Sequence, residues 1–406
     1  MQPSPLHLSP SFGFGDRLGL ATPGHIAALR HSTFDLRPIF AQQSVRENAR
    51  TGRTPQQVMD DAKRAVEAAN WDKPWGADAD HLKSVDDLPP FVAAGYTFFT
   101  VDPGAHVDNA ADTDPLPVLQ EKARSADWDQ LSALYLSDGR DEAMLRPYGA
   151  FDSESLLRAV VKYGRAIQHA VEMFRHLSDL LPLPTGEGWG EGFDFEVSVD
   201  ETDSPTTPLE HFFIASELTR AGVRFTSLAP RFIGRWEKGV DYIGNVHALD
   251  EELARHAAVT AHFGTYKLSL HSGSDKFSAY PLIAKHWGSR IHVKTAGTSY
   301  LEALRVLARH EPDLFIKVFS LAQERYEIDR ATYHVSAELT KLPQTDDLPA
   351  LLDDLHAREI LHVTFGSALA RFGAELKPAL VKHADAYAEA LQTHFAKHLS
   401  LLTFDL

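Results

Sequence analysis

A closed (β/α)8 barrel, with a helical insertion between strands four and five and a helical C-terminal extension, is the fold class this sequence predicts. Three observations carry the expectation. Eight short apolar or alternating runs each end in polar residues, and amphipathic helical stretches separate most of them. The segment Phe193-Asp-Phe-Glu-Val-Ser-Val-Asp-Glu201 alternates strictly between apolar and mostly ionisable positions, the period of a strand. A solvated edge strand would alternate in the same way. A barrel strand delivering carboxylates to a site at its C-terminal end explains better why the polar positions are so rich in groups that ionise or bind metal.

The runs are Phe12–Leu20, Pro38–Ser44, Trp75–His81, Thr97–Pro103, Phe193–Glu201, Phe225–Phe232, Tyr266–Gly273 and Arg290–Gly297. The first two are the least regular. Between them, Thr54–Ala69 presents Val58, Ala62, Ala65 and Ala69 on one helical face; Leu209–Ala221 presents Phe212, Phe213, Leu218 and Ala221; Leu249–Phe263 presents Leu253, Ala257 and Ala261. The connection from strand four to strand five runs from Gly104 to Gly192. It holds an acidic, mixed stretch, Ala110–Arg146, expected to be helical near the barrel mouth, then an amphipathic helix, Ser153–Leu180, with Leu156, Val160, Tyr163, Ile167, Val171 and Phe174 on one face. A Pro/Gly-rich loop, Leu181–Gly192, closes it. The barrel with its insertion is thus expected over 1–297. The extension, 298–406, is expected to pack on it with helices at Tyr300–Ala308, Asp313–Ala337, Leu348–His356 and Leu376–Leu402. No solenoid repeat is visible.

Composition bounds the partners. The 406 residues are 44% hydrophobic and 24% charged, ordinary for a globular chain. A net charge of −16 without a long basic run argues against nucleic acid or an anionic membrane surface, and no apolar run reaches membrane-spanning length. An anionic substrate would need local Arg or Lys. The absence of cysteine excludes disulfides, zinc–thiolate sites and thiol nucleophiles. The opening residues, Met1-Gln-Pro-Ser-Pro-Leu, show no basic region followed by an apolar stretch, so the expected setting is cytoplasmic. Whether identical chains assemble into a homo-oligomer is left open.

The strand ends would ring the active face. In order they offer Asp16 and Arg17; Gln42, Gln43 and Arg46; Asp78, Asp80 and His81; Asp102 and His106; Glu196, Asp200 and Glu201; Arg231, Glu237 and Lys238; His271, Ser272, Asp275 and Lys276; His292 and Lys294. Carboxylates and imidazoles from several strands, without thiolates, suit a divalent ion such as Mn, Co, Ni or Zn. His271 ends a strand and opens a small-residue loop, and His81 follows two aspartates, a crowding of charge that packing alone would not select. Asp200 and Glu201 could instead cap the next helix. Gly13 and Gly15 resemble half a phosphate loop, but no third glycine follows at the required spacing. No Gly-x-Ser-x-Gly motif appears.

Longer phrases carry a resemblance. Gly13-Phe-Gly-Asp-Arg-Leu-Gly19, Phe40-Ala-Gln-Gln-Ser-Val-Arg-Glu-Asn48, Gly76-Ala-Asp-Ala-Asp-His81, Phe193 to Thr202, Arg231-Phe-Ile-Gly234 with Trp236-Glu-Lys-Gly239, Leu270-His-Ser-Gly-Ser-Asp-Lys-Phe277 and His292 to Glu302 closely resemble the tagaturonate/fructuronate epimerases, relatives of which act as tagatose/fructose 4-epimerases. The match runs from about Ser11 to near the C-terminus. Some members carry a further N-terminal segment not seen here, and the stretches at Ala110–Arg146 and Gly186–Gly192 look particular to this chain. The resemblance implies metal-dependent epimerisation of a small sugar or sugar acid at C4. Asp80 would be the proton acceptor and Glu196 the donor. His81, His271 and Glu237 would hold the metal. Substrate contacts are expected from Arg17, Gln43, Asp200, Arg231, Lys276, His292 and Lys294. A class-II-type aldolase or an aldose–ketose isomerase could use the same barrel and metal, and a non-catalytic carbohydrate-binding role would need neither metal nor turnover.

Overall fold

The computed structural model of the chain describes residues 1–32, 35–136, 149–181 and 192–403. Eight parallel strands close into a barrel in sequence order: β1 Ser11–Gly15, β2 Arg37–Ser44, β3 Gly76–Leu82, β4 Phe98–Val101, β5 Asp194–Ser198, β6 Ser227–Ala229, β7 Lys267–Leu270 and β8 Ile291–Thr295. Each of the eight expected runs overlaps a strand, most of them shorter than the run, because the polar ends leave the ladder to form the mouth; β1 and β2 begin one residue earlier than expected and β3 ends one residue later. Alternation decides what fills the barrel. On β5, Phe193 and Phe195 face outward and meet Phe174 of the helix Ser153–Leu180, with ring centroids 6.0 and 5.2 Å apart. Asp194, Glu196 and Ser198 face inward. Lys267, Ser269, His292 and Lys294 do the same on β7 and β8, so polar and charged side chains fill much of an interior that branched apolar residues usually occupy. Gly13 makes room for this: the Gln42 amide oxygen lies 1.6 Å from where a Cβ at Gly13 would stand.

Helices cover the outside, several started by capping boxes at Ser44, Thr54 and Thr207. Their buried faces are rotated slightly from the sequence expectation. Pro55–Ala68 buries Met59 and Val66 along with Val58 and Ala62, leaving Ala65 half-buried. Ala221 and Ala261 are exposed, while His256 and Val259 are buried. Large side chains claim the core and leave alanines at its edge. The insertion forms short helices, Leu116–Lys122 and Trp128–Tyr135, which pack on Ser153–Leu180 through a small cluster of Ala111, Leu119, Leu157 and Val161. Most of the Leu181–Gly192 loop and part of Ala110–Arg146 lie outside the described residues.

Beyond β8 the chain is helical, with different boundaries from those expected. Thr298–His310 is followed by Pro312–Asp329, which stops eight residues short of the expected Ala337 so that the segment after it can cross the barrel mouth. Leu348–Asp353 is a 3-10 turn, and the α-helix begins later, at Leu355–Val363, where Asp354 caps it. The long last helix is two, Phe365–Lys382 and Ala384–Leu401. The final one packs beside Thr22–His31, its Phe395 ring 4.9 Å from His25 and 5.1 Å from Phe14. Asp275, after β7, ties this helix down by accepting from His394 at 2.6 Å, and it holds the helix Leu355–Val363 by pairing with Arg358 at 3.0 Å. Among the described residues no helix is long and apolar enough to cross a membrane.

Candidate active site

Lys294 organises the floor of the site. Its ammonium lies 2.7 Å from Asp78, 2.8 Å from Asp80 and 2.8 Å from Glu196, and it also donates to Thr100. All four groups are buried. Burial opposes the charge on Lys294, but the three carboxylates outweigh it and raise its pKa well above the usual lysine range. Burial also penalises Asp80 and Glu196. His81 and Lys294 at Asp80, and Lys294 and His271 at Glu196, reverse that penalty and hold both carboxyls well below their usual range. Asp78, deepest of the three, is instead pushed up to about 7 by burial, with Lys294 acting against the rise.

Above this floor sit two imidazoles. Strict alternation would send Asp80 and His81 to opposite faces of β3. The register runs Ala79 to Leu82 against only Phe99 to Val101 on β4, so β3 carries one extra residue there, and His81 takes a left-handed φ of 53°. This bulge turns both side chains into the mouth. The two imidazole rings, His81 and His271, have centroids 5.0 Å apart. His81 Nδ1 lies 2.9 Å from Asp80, and His271 Nε2 lies 2.5 Å from Glu196. Ser198 bridges the Asp200 carboxylate and His271 Nδ1, at 2.5 and 3.2 Å. Burial opposes a charge on His81, yet Asp80, then Glu201 and Asp200, raise it to about 10.

This donor set fits a divalent cation. Asp80, His81 and His271 each offer a ligand atom, all within 4.8 Å of one another. Carboxylates outnumber amines around them, and in the protein alone a proton on His81 answers the excess of negative charge. An ion would answer it in that proton's place. A second cluster, Asp275 with His394 and His398, also has ligand atoms within 4.8 Å of one another but suits an ion less well. Arg358 already neutralises Asp275, and both ring nitrogens of His398 are used, on the Asp275 N–H and the His394 carbonyl.

The centre opens into a cavity of about 270 Å³, walled by the loops after β5, β6 and β7 and rimmed by Thr332, Tyr333 and His334 from the extension. Several expected site residues do not converge there. Arg17 pairs with Glu47 at 2.9 Å and lies over Phe365. Gln43 points away from the interior, toward Thr51 and Arg53. Lys276 gives its protons to the carbonyls of Glu237, Val240 and Ser274. His292 lies one layer below Lys294, bonded to Ser11 and fully buried. Arg231, Asp200 and Glu237 line the cavity, but the Glu237 carboxylate turns to Ser336 at 2.7 Å and neighbours Glu359, which burial and Glu237 together push up to about 8. Sequence reasoning missed Ser198, Ser336 and Glu359. The one available signal was the pair Arg358-Glu359 beside the apolar residues Ala357, Ile360, Leu361 and Val363, since buried charges there need partners.

Comparison with known proteins follows the same direction. A family model described as tagaturonate epimerase (UxaE) matches residues 1–402. A tagaturonate/fructuronate epimerase of Thermotoga maritima is 43% identical over 415 residues, which cover 99% of this chain and 82% of that protein. The native crystal structure of the fructuronate-tagaturonate epimerase UxaE from Cohnella laeviribosi superposes with a TM-score of 0.90 at 37% identity, over 99% of this chain and 83% of that one. A complex of the same enzyme with one glycerol gives 0.89 at 37% identity and the same coverage.

Proposed function

Since the chain belongs to the tagaturonate epimerase family, we propose that it interconverts tagaturonate and fructuronate by inverting C4, with the reaction centred on Asp80, Glu196 and the two imidazoles of the barrel mouth. The enzyme is of the isomerase class. The observation that supports this mechanism is the meeting of the Asp80 and Glu196 carboxylates with the His81/His271 pair in one buried centre. The neutral ketoses tagatose and fructose differ by the same inversion and form the second substrate class.

The chemistry of C4 narrows the route. In a 2-ketose the acidic C–H is at C3, beside the carbonyl, so direct exchange of the C4 hydrogen is unfavourable. Retro-aldol cleavage avoids it. Asp80 takes the proton of the C4 hydroxyl, the C4–O electron pair forms an aldehyde, and the C3–C4 pair moves toward the C2 carbonyl. The aldehyde fragment turns its other face, the C3–C4 bond re-forms, and the new C4 oxygen takes its proton from Glu196, which must enter the turnover protonated although Lys294 and His271 favour its ionised form. Each face of C4 needs its own relay, which two carboxylates on different strands provide. His81 and His271 would hold a divalent ion, with Glu237 on the cavity wall as the expected third ligand, and the ion would supply Lewis acidity toward the substrate oxygens. Lys294 donates to Asp80 and Glu196 from one ammonium and so fixes the two carboxylates relative to one another.

Incubating the ion-loaded enzyme with tagaturonate and following the products by NMR tests this reading. Fructuronate alone is expected. Accumulating three-carbon fragments would favour the aldolase reading, and an aldose product the isomerase one.

A further inference from the structure

We propose that Lys238 binds the C6 carboxylate of the sugar acid and so sets the preference for ketouronate over neutral ketose, an inference that rests on the epimerase reading above. A chain of net charge −16 must offer an anion a local cation that is not already paired. The cations near the mouth separate on this criterion. Lys294 is held by three carboxylates, and Arg17 by Glu47. Lys276 spends all its donors on carbonyls. Arg235 is more than half exposed and leans on Glu237 at 3.4 Å, while Arg46 lies 3.9 Å from Glu201 and over the Tyr333 ring. Arg231 lines the cavity without an ion pair among the described residues, so it meets the same criterion and enters the test as the rival.

Lys238 is the other such cation. It lines the cavity, follows Glu237 in sequence and donates to Ser272, next to His271, at 2.9 Å. Among the described residues no carboxylate stands within ion-pair distance of it, and its charge acts on Asp200 inside the centre. An ammonium has three donors. One goes to Ser272, and two are left to meet both oxygens of a carboxylate. C6 lies two bonds from the reacting C4, so the group to be bound stays close to the centre that must cleave C3–C4.

The test compares kcat/KM for tagaturonate and for tagatose at fixed salt, in the wild type and in Lys238→Met, Lys238→Arg and Arg231→Met, with ion content checked by elemental analysis. In Lys238→Met the acid-over-neutral preference should fall about 10- to 10²-fold, chiefly through KM for the acid. Lys238→Arg should keep most of it. Should Lys238→Met fail to fold or to hold its ion, Lys238→Gln, which keeps a donor for Ser272, carries the same expectation. A preference unchanged in these neutral variants, or lost only in Arg231→Met, overturns the assignment. Failure of the wild type to epimerise either sugar would refute the functional reading instead.

Discussion

Asp80→Asn and Glu196→Gln should each lower kcat by about 10²- to 10⁴-fold while the protein stays folded and keeps its ion. Both substitutions preserve shape and remove the ability to exchange a proton with the C4 oxygen, acceptance at Asp80 and donation at Glu196. Their surroundings explain why the loss falls on rate. Thr100 donates to one Glu196 oxygen at 3.2 Å and Ser227 to the other at 2.5 Å; a Gln keeps one of these acceptors, and at the other position its amide can donate to the hydroxyl instead. Lys294 retains two carboxylates in either variant, so no buried cation is left alone. Single-turnover rates, elemental analysis and thermal unfolding on the same preparations separate the contributions. Loss of the ion from Asp80→Asn, with the ion retained in His81→Ala, would assign Asp80 to the ligand set and leave the proton-acceptor role unfilled.

Chelation should abolish turnover, and a divalent transition ion should restore it. His81→Ala and His271→Ala should lose the ion altogether. The same site predicts a pH dependence whose sign follows from His81. Its imidazole, raised to about 10 by Asp80, Glu201 and Asp200 against the cost of burial, carries a proton at neutral pH in the ion-free protein. A ligand imidazole must be neutral, so binding releases that proton, and the apparent affinity should rise about tenfold per pH unit between roughly pH 6 and 8. Calorimetry in buffers of different ionisation enthalpy counts the released protons. Full activity of a demonstrably ion-free protein, or binding with no proton release, would contradict this.

The parts of this centre that were legible in the sequence are those that alternation encodes. The run from Phe193 to Glu201 assigns Glu196 to the interior because one strand face is aromatic and the other ionisable, and His271 and Lys294 follow by the same rule on β7 and β8. The β3 bulge was not legible. Alternation alone opposes Asp80 to His81, and nothing local marks His81 as left-handed. Loops carry no period at all, so Lys238 and Lys276 read alike although one lines the cavity and the other knits loop carbonyls together. Contacts from the extension were equally hidden. Ser336 reaches Glu237 across nearly 100 positions of sequence, and the expected continuation of a helix through Ala337 obscured the crossing segment that brings it there.

The claim at the centre of this account is that C4 inverts by breaking and re-forming C3–C4, with only the hydroxyl proton moving at C4. Running the reaction to equilibrium in deuterated water and examining C4 of the product by NMR tests it directly. The account predicts that C4 keeps its original hydrogen through many turnovers; stoichiometric deuterium at C4 would show direct proton abstraction there and contradict the cleavage route.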